Sequence, residues 1–323
     1  MVLVQIGGER TCMMRILVVC SFKENQHEHM APFVKEQVEA LRATGVGCDC
    51  FLVKGKGILG YLRQLKPLIN KISKFCPDVI HAHFGLCGLL ANLQRKVPVV
   101  TTYHGSDIND RKVLLFSKMA MCLSKWNIFV SQKTLEIAKL KRKYSLLPCG
   151  IDITDLQLTE KHEARRRMHL QGDKKYILFA SAFDNVVKNA QLAKESILLL
   201  QDNTVELLEL RGYSREEVTL LMCAADVFLM TSFSEGSPQV IKEAMACGCP
   251  IVSVDVGDVR ERVSNVMECY VSKTRESGEL VELLQKAIRY EGRTKGREKV
   301  ISDGLDNKYI AERLLEIYKS TIK

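Results

Sequence analysis

No apolar run in these 323 residues approaches the roughly 20 that a membrane-crossing helix needs, so the expectation is a soluble or peripheral protein. Residues 1–13 (MVLVQIGGERTCM) lack the charged start and long apolar stretch of a secretory signal. They read as an extension, with the first structural element beginning at Met14. There is no C-x-x-C anywhere. The 12 cysteines are scattered, and the close pairs Cys48/Cys50 and Cys247/Cys249 leave one residue between them. That pattern excludes a zinc ribbon and argues against a disulfide framework, leaving reduced thiols in a cytosolic setting. C2H2, RRM-type and helix-turn-helix patterns are missing too, so nucleic acid is not the expected partner. Low-complexity segments and short repeats are absent.

What is present is ordinary globular composition, 46% hydrophobic and 26% charged, in a length that suits two domains of about 150 residues. The charge is uneven. Residues 1–150 hold 22 Lys/Arg against 10 Asp/Glu, a balance of +12, while 151–323 carry −3 of the net +9. A basic first half calls for an anionic partner, either a membrane surface or an acidic acceptor.

From Met14 onward short apolar runs alternate with amphipathic segments, the pattern of βαβ units around a parallel sheet. Strands are expected at Arg15–Cys20, Cys48–Val53, Asp78–Ala82, Val97–Tyr103, Trp126–Val130 and Tyr144–Leu147. A break follows at Leu147-Pro148-Cys149-Gly150. The second half repeats the logic with strands at Tyr176–Ala180, Thr204–Leu210, Asp226–Met230, Pro250–Val254 and Cys269–Val271. Helices are expected between them and in a last segment, Asn307–Ile322. The segment Gly57–Phe75 carries Ile58, Leu62, Leu65, Ile69 and Ile72 at helical spacing with Arg63, Lys66, Lys71 and Lys74 between, interrupted by Pro67. It reads either as a surface helix lying on the sheet or as a basic helix on anionic lipid.

The most informative stretch is Ser234-Glu235-Gly236-Ser237-Pro238-Gln239-Val240-Ile241-Lys242-Glu243-Ala244-Met245-Ala246-Cys247-Gly248-Cys249-Pro250. It follows a buried strand, turns at Gly236, and starts a helix with Ser237 as expected N-cap and Pro238 at the first helical position. The first turn, with the helix dipole, suits a diphosphate. Glu243 falls about one and a half turns inside, roughly 8 Å along the axis. Two carboxylates flanking such a turn can accept hydroxyl hydrogen bonds at both ends of an extended nucleotide-sugar.

This stretch resembles the E-x7-E motif of retaining family-4 glycosyltransferases, and the likeness continues through Asp255-Val256-Gly257-Asp258-Val259-Arg260-Glu261. The resemblance implies the GT-B fold: α/β, two Rossmann-like domains with parallel sheets facing a cleft. It implies an acceptor-binding domain at 14–150, a nucleotide-sugar-binding domain at 151–305, and a C-terminal helix at 306–323 crossing back to the first. It assigns Glu243 to the donor ribose, Glu235 to the transferred sugar, and Lys188 with Asn189 to the diphosphate beside Gly236, Ser237, Gln239 and Val240. Relatives also carry a basic residue just before this lysine, but Ser181-Ala182-Phe183-Asp184 offers none.

In the first half, His104-Gly105-Ser106-Asp107 resembles the family's histidine at the transferred sugar, and Ile80-His81-Ala82-His83-Phe84-Gly85 the signature beneath the acceptor. His83, His104 and Asp107 are therefore expected at the site, and His81 as a buried, hydrogen-bonded strand residue. The loop Ser21–Phe33 lacks the family's glycine pair. Either the approach to the diphosphate is looser or side chains from Met30 to Phe33 shape an acceptor pocket. A rival reading takes His27/His29 and His81/His83 as metal-binding pairs, but no carboxylate or cysteine stands at a spacing that completes such a site.

The expected activity is thus metal-independent sugar transfer, with no cofactor, from a UDP- or GDP-linked sugar. The acceptor would be a glycan or a lipid-linked intermediate of surface polysaccharide synthesis, met in the cytoplasm or on the inner face of the membrane. A nucleotide-sugar epimerase and a non-catalytic sugar-nucleotide-binding protein are the alternatives.

Overall fold

The computed structural model describes residues 13–24, 29–55 and 57–322. His27, Lys56 and residues 1–12 lie outside them. The chain divides into two compact units. Unit 1 takes the described residues up to Gly150 together with the segment from Asn307 onward, and unit 2 is Ile151–Asp306.

Unit 1 contains a six-stranded sheet in the order β2-β1-β3-β4-β5-β6. Its strands are β1 (Arg15–Ser21), β2 (Gly47–Val53), β3 (Val79–His83), β4 (Val99–Tyr103), β5 (Trp126–Phe129) and β6 (Tyr144–Leu146). Between them run α1 (Pro32–Ala43), α2 (Gly57–Leu62), α3 (Leu65–Phe75), α4 (Gly85–Asn92), α5 (Ser106–Asn109), α6 (Arg111–Leu123) and α7 (Gln132–Ala138). Ile16 to Val19 alternate between the two faces of the sheet, yet all are 1% exposed or less. Burial on both faces is why such strands read as unbroken apolar runs rather than as alternation.

Unit 2 contains a five-stranded sheet ordered β11-β10-β9-β7-β8: β7 (Lys175–Phe179), β8 (Val205–Glu209), β9 (Val227–Met230), β10 (Ile251–Val254) and β11 (Cys269–Ser272). Its helices are α8 (Lys161–Arg167), α9 (Ala190–Leu200), α10 (Arg215–Ala224), α11 (Gln239–Ala246), α12 (Val259–Arg262), α13 (Ser277–Ile288) and α14 (Gly296–Ser302). Ile177, Leu178, Phe179 and Phe228 are fully buried in its core, each contributing about 1.5–3 kcal/mol by removal from water. All the strand pairs are parallel.

In both sheets the first strand of the unit lies beside the third as well as the second, so the winding direction reverses between β1 and β3 and again between β7 and β9. Connections leave such a point in opposite directions, and the crevice they open at the carboxyl ends of the strands is where open α/β sheets bind ligands.

The last helix, α15 (Asn307–Ile322), belongs to unit 1. Its Ile310, Ala311, Leu314 and Tyr318 pack into the core with Val34, Val38 and Leu41 of α1. The Tyr318 hydroxyl lies 2.6 Å from Nδ1 of His81, whose Nε2 is 2.7 Å from the Thr102 hydroxyl. His81 is accordingly a fully buried, doubly hydrogen-bonded strand residue.

One local expectation is corrected. Pro67 does not interrupt the helix of Gly57–Phe75; the break falls at Arg63–Gln64, and Pro67 sits in the first turn of α3. A first-turn amide has no carbonyl partner within the helix, so proline removes nothing there. The buried face also shifts. Leu68 and Ile72 turn inward, while Leu62 and Ile69 are exposed. Among the described residues no helix is long and apolar enough to cross a membrane.

Candidate functional site

In unit 2 the two loops at the switch point are joined strand end to strand end. After β7 the chain forms a 3-10 turn, Val186–Lys188, closed by Asn189 in the left-handed conformation (φ 53°), which asparagine tolerates better than most residues. After β9, Thr231 donates its hydroxyl to the carbonyls of Lys188 (3.0 Å) and Asn189 (2.8 Å), and the Phe233 amide donates to Val187 (2.8 Å). This stapling brings together residues 47 apart in sequence: Lys188 Nζ donates to Glu235 Oε1 at 2.7 Å. Both side chains remain partly open, 19% and 14% exposed.

Gly257, at φ +54°, approaches so closely that a Cβ there would stand 2.7 Å from the Gly236 carbonyl. That contact brings Asp258 under the turn. Its Oδ2 accepts from the Ser237 hydroxyl (2.8 Å) and from Arg262 Nε (2.8 Å). Ser237 is therefore not the N-cap of α11. Pro238 occupies that position with no side-chain cap, because the buried carboxylate of Asp258 claims the serine hydroxyl. Pro238's φ of −68° suits the cap position as well as the first helical one.

Inside α11, Glu243 is 4% exposed and its Oε1 accepts from Arg215 Nη1 at 2.8 Å. Gln239 accepts from Nζ of the fully buried Lys242 at 2.7 Å, and Val240 is half-buried. The carboxylates Glu235 and Glu243 thus each carry a cation.

Two further arginines lie at these loops, and neither was legible in sequence. Arg211 reaches Asp184 at 2.6 Å, putting a cation beside the segment whose own residues supply none. Arg275 donates to the carbonyls of Ser232 (2.6 Å) and Phe233 (3.1 Å), bracing the loop that carries Glu235. Arg215, Asp258 and Arg275 were missed as site neighbours because each comes from a different loop or helix start, with no spacing rule to connect them.

In unit 1 the strand ends gather rings. His83 is the last residue of β3 and fully buried; its Nδ1 is 3.0 Å from His104 Nε2. His104 Nδ1 is 3.7 Å from Cys149 Sγ. Phe33, in the first turn of α1, and Phe84 pack on the His104 ring at 4.8 and 4.6 Å between centroids. Burial holds His83 down at about 3, and drives His81 well below the usual histidine value, so both rings are neutral.

Asp107 is 3% exposed. Its Oδ1 accepts the amides of His104 (2.9 Å) and Gly105 (3.1 Å), and its Oδ2 that of Gly85 (2.9 Å). Burial raises its pKa to about 6 against the opposing pull of these amides. With both oxygens accepting amides, Asp107 ties the β3 and β4 loops together. Of the four histidines in the two H-x-H pairs, His81 and His83 lie 4.5 Å apart with their rings tilted by 31°, and His29 stacks on Phe22 at 4.5 Å. Among the described residues no group of three metal-ligating side chains is assembled.

Two family profiles match the chain: "Glycosyltransferase Family 4" over residues 19–155 and "Glycosyl transferases group 1" over residues 185–289. The second takes in Lys188, Glu235 and Glu243. A curated relative, the protein named as teichuronic acid biosynthesis glycosyltransferase TuaC of Bacillus subtilis, is 28% identical over 57% of this chain and 54% of its own length. A second, the N,N'-diacetylbacillosaminyl-diphospho-undecaprenol alpha-1,3-N-acetylgalactosaminyltransferase of Campylobacter jejuni, is 31% identical over 34% of this chain and 30% of its own. The chain therefore spans about half the length of the first and less of the second. Among solved structures, Anabaena HepE in complex with UDP superimposes with a TM-score of 0.73 at 17% identity, covering 95% of this chain and all of the other, a likeness of fold.

Proposed function

The chain belongs to the family-4 glycosyltransferases of GT-B fold, and from that premise we propose that it moves a sugar from a UDP- or GDP-linked donor to a glycan or lipid-linked acceptor in surface polysaccharide synthesis. Transfer retains the anomeric configuration, requires no metal ion, and takes place in the cytoplasm or at the inner face of the membrane. The observation that carries this reading is the Lys188–Glu235 pair at the switch point of unit 2. A partly exposed cation held by a carboxylate is a site where an incoming diphosphate exchanges for the carboxylate.

In that exchange Lys188 turns to the diphosphate and stabilises it as it leaves, an electrostatic contribution from a group already in place. Glu235, released, accepts hydroxyl hydrogen bonds from the transferred sugar. Glu243, held by Arg215, accepts those of the ribose. The leaving phosphate oxygen takes the acceptor's proton on the same face, so no protein base is required. His104 meets the transferred sugar, with Phe33 and His83 around it, and Asp107 fixes the loop on which it stands. The UDP bound by the Anabaena protein and the diphospho-undecaprenol named for the Campylobacter enzyme support the donor and acceptor classes.

Thermal-shift titration with UDP, GDP and ADP tests the donor side, since a ligand stabilises by RT ln(1+[L]/Kd). Glu243→Ala is expected to weaken nucleotide binding about ten- to a hundredfold, the worth of a charged hydrogen bond, while Glu235→Ala lowers transfer with nucleotide affinity retained. Unchanged affinity in Glu243→Ala sinks the ribose assignment. Conversion of the nucleotide-sugar to its epimer, with no acceptor present and no free nucleotide released, points to the epimerase instead.

A further inference from the structure

Phe84, between β3 and α4, has φ 71° and ψ 148°. Residues with a side chain avoid this region because Cβ crowds the backbone, and glycine enters it freely. The conformation is enforced on both sides. The Phe84 amide donates to the Thr102 carbonyl at 2.9 Å and the Gly85 amide to Asp107 at 2.9 Å. Gly85 is also pressed against α6, where a Cβ would fall 2.0 Å from the Ser117 hydroxyl. The path of the chain is therefore set by its neighbours, and a bulky aromatic occupies a position that glycine would fill without strain. Strain of this kind persists where the structure around it over-determines the geometry and where function uses it.

What the strain secures is contact with His104. The Phe84 ring lies 4.6 Å from the imidazole and the Phe33 ring 4.8 Å, while His83 and Cys149 engage its two nitrogens. His83 Nε2 is buried with no protein partner. A proton there would be a buried unpaired N–H, the costlier orphan. The proton accordingly sits on His83 Nδ1 and is donated to His104 Nε2, leaving His104 Nδ1–H directed at the Cys149 sulfur.

We propose that Phe84 is a positioning residue for sugar transfer. Its strained backbone is retained to press a phenyl ring against His104, which with His83 and Cys149 holds the imidazole in one orientation and one tautomer. This rests on the reading that places His104 at the transferred sugar.

The test compares Phe84→Ala with Phe84→Gly, both without the ring. At an ordinary position alanine is the more stabilising of the two; at φ 71° the order inverts, and the glycine variant melts above the alanine variant. Both variants should lose about a hundredfold in kcat, the effect of a small misplacement at a reacting centre, with nucleotide affinity unchanged. Phe84→Tyr should restore turnover. Long-range 1H–15N NMR of the His104 ring should show a single tautomer protonated at Nδ1 in the wild type and a mixture in both ringless variants. An alanine variant as stable as the glycine variant removes the strain, and wild-type kcat in either removes the positioning role. A wild type that turns over no nucleotide-sugar defeats the proposed function instead. The ring signals then decide on Phe84, because identical tautomers with and without the phenyl overturn the proposal.

Discussion

At the switch point of unit 2 the groups that reach the strand ends are charged and paired: Lys188 with Glu235, Arg215 with Glu243, Arg262 with Asp258. At that of unit 1 they are imidazoles, phenyl rings and a thiol, and the buried histidines are kept neutral. The two crevices arise from one winding rule, so topology does not explain the difference. The partners do: the buried carboxylates Glu243 and Asp258 of unit 2 meet arginines, whereas the equally buried Asp107 of unit 1 accepts backbone amides. A buried charge needs a counter-charge or hydrogen-bond partners, and the proposed diphosphate donor would bind there by replacing one such counter-charge. Neutral rings have no charge to exchange; their flat apolar faces suit the C–H face of a sugar. Charge exchange on one unit and shape on the other form the division of labour that the following measurements can break.

The largest effect is expected at Lys188. Lys188→Ala removes the cation facing the leaving group together with its hydrogen bond to Glu235, and should lower transfer about 10²–10³-fold, the scale of losing one preorganised donor. Turnover of the wild type should persist in excess EDTA. A loss under tenfold, or abolition by EDTA with rescue by Mn²⁺, breaks the assignment of electrostatic work to this unit.

A middle-sized effect is expected in the pH dependence of unit 1. His83, with an ordinary value of 6.5, sits at about 3, and His81 is lowered in the same direction. The unfolded chain therefore takes up protons that the folded one refuses. Their contribution to stability is complete above 6.5 and drains away as pH falls toward 3. Asp107, raised from 3.8 to about 6, acts oppositely: its contribution is present below 3.8 and lost as pH rises through 6. Two histidines oppose one carboxyl, so the melting temperature of unit 1 should fall as pH drops from 6.5 to 4. His83→Gln should flatten that slope. A melting temperature that rises over this interval would show that Asp107 governs instead.

The sequence carries these two crevices unequally. All eleven strands were legible to within two residues at each end, because continuous apolar runs between helical segments admit few other readings in a chain of this length. Glu235, Glu243 and Lys188 were legible as residues, but not as ion pairs. Lys188 meets Glu235 only because Thr231 and Phe233 staple the loops, and Arg215, at the start of α10, meets Glu243 of α11, 28 residues further on. Ser237 was placed one step wrong because its competitor, Asp258, lies 21 residues on. The amide partners of Asp107 were not legible for the same reason: the motif named the residue, whereas Gly85, one of those partners, stands at the start of α4, 22 residues earlier.

The smallest effect concerns the basic face of unit 1, and it should leave both fold and chemistry untouched. Arg63, Lys66 and Lys74 are exposed, beside the exposed apolar side chains of Leu59, Leu62 and Ile69. Lys71 is ion-paired with Asp49, and Lys54 lies over the Phe22 ring at 5.0 Å, so neither belongs in the test set. Each basic residue near an anionic bilayer contributes about 1 kcal/mol, screened within about 8–10 Å at physiological salt. Three such residues with an apolar edge should give vesicle binding at low salt that fades as salt is added. Arg63→Glu, Lys66→Glu and Lys74→Glu together should abolish co-sedimentation with anionic vesicles while leaving the melting temperature and transfer to a soluble acceptor unchanged. Lys71→Glu should instead lower the melting temperature slightly by setting two carboxylates against each other. Wild-type protein that stays in the supernatant at low salt ends the membrane reading, and the face is then the ordinary solvated side of two helices.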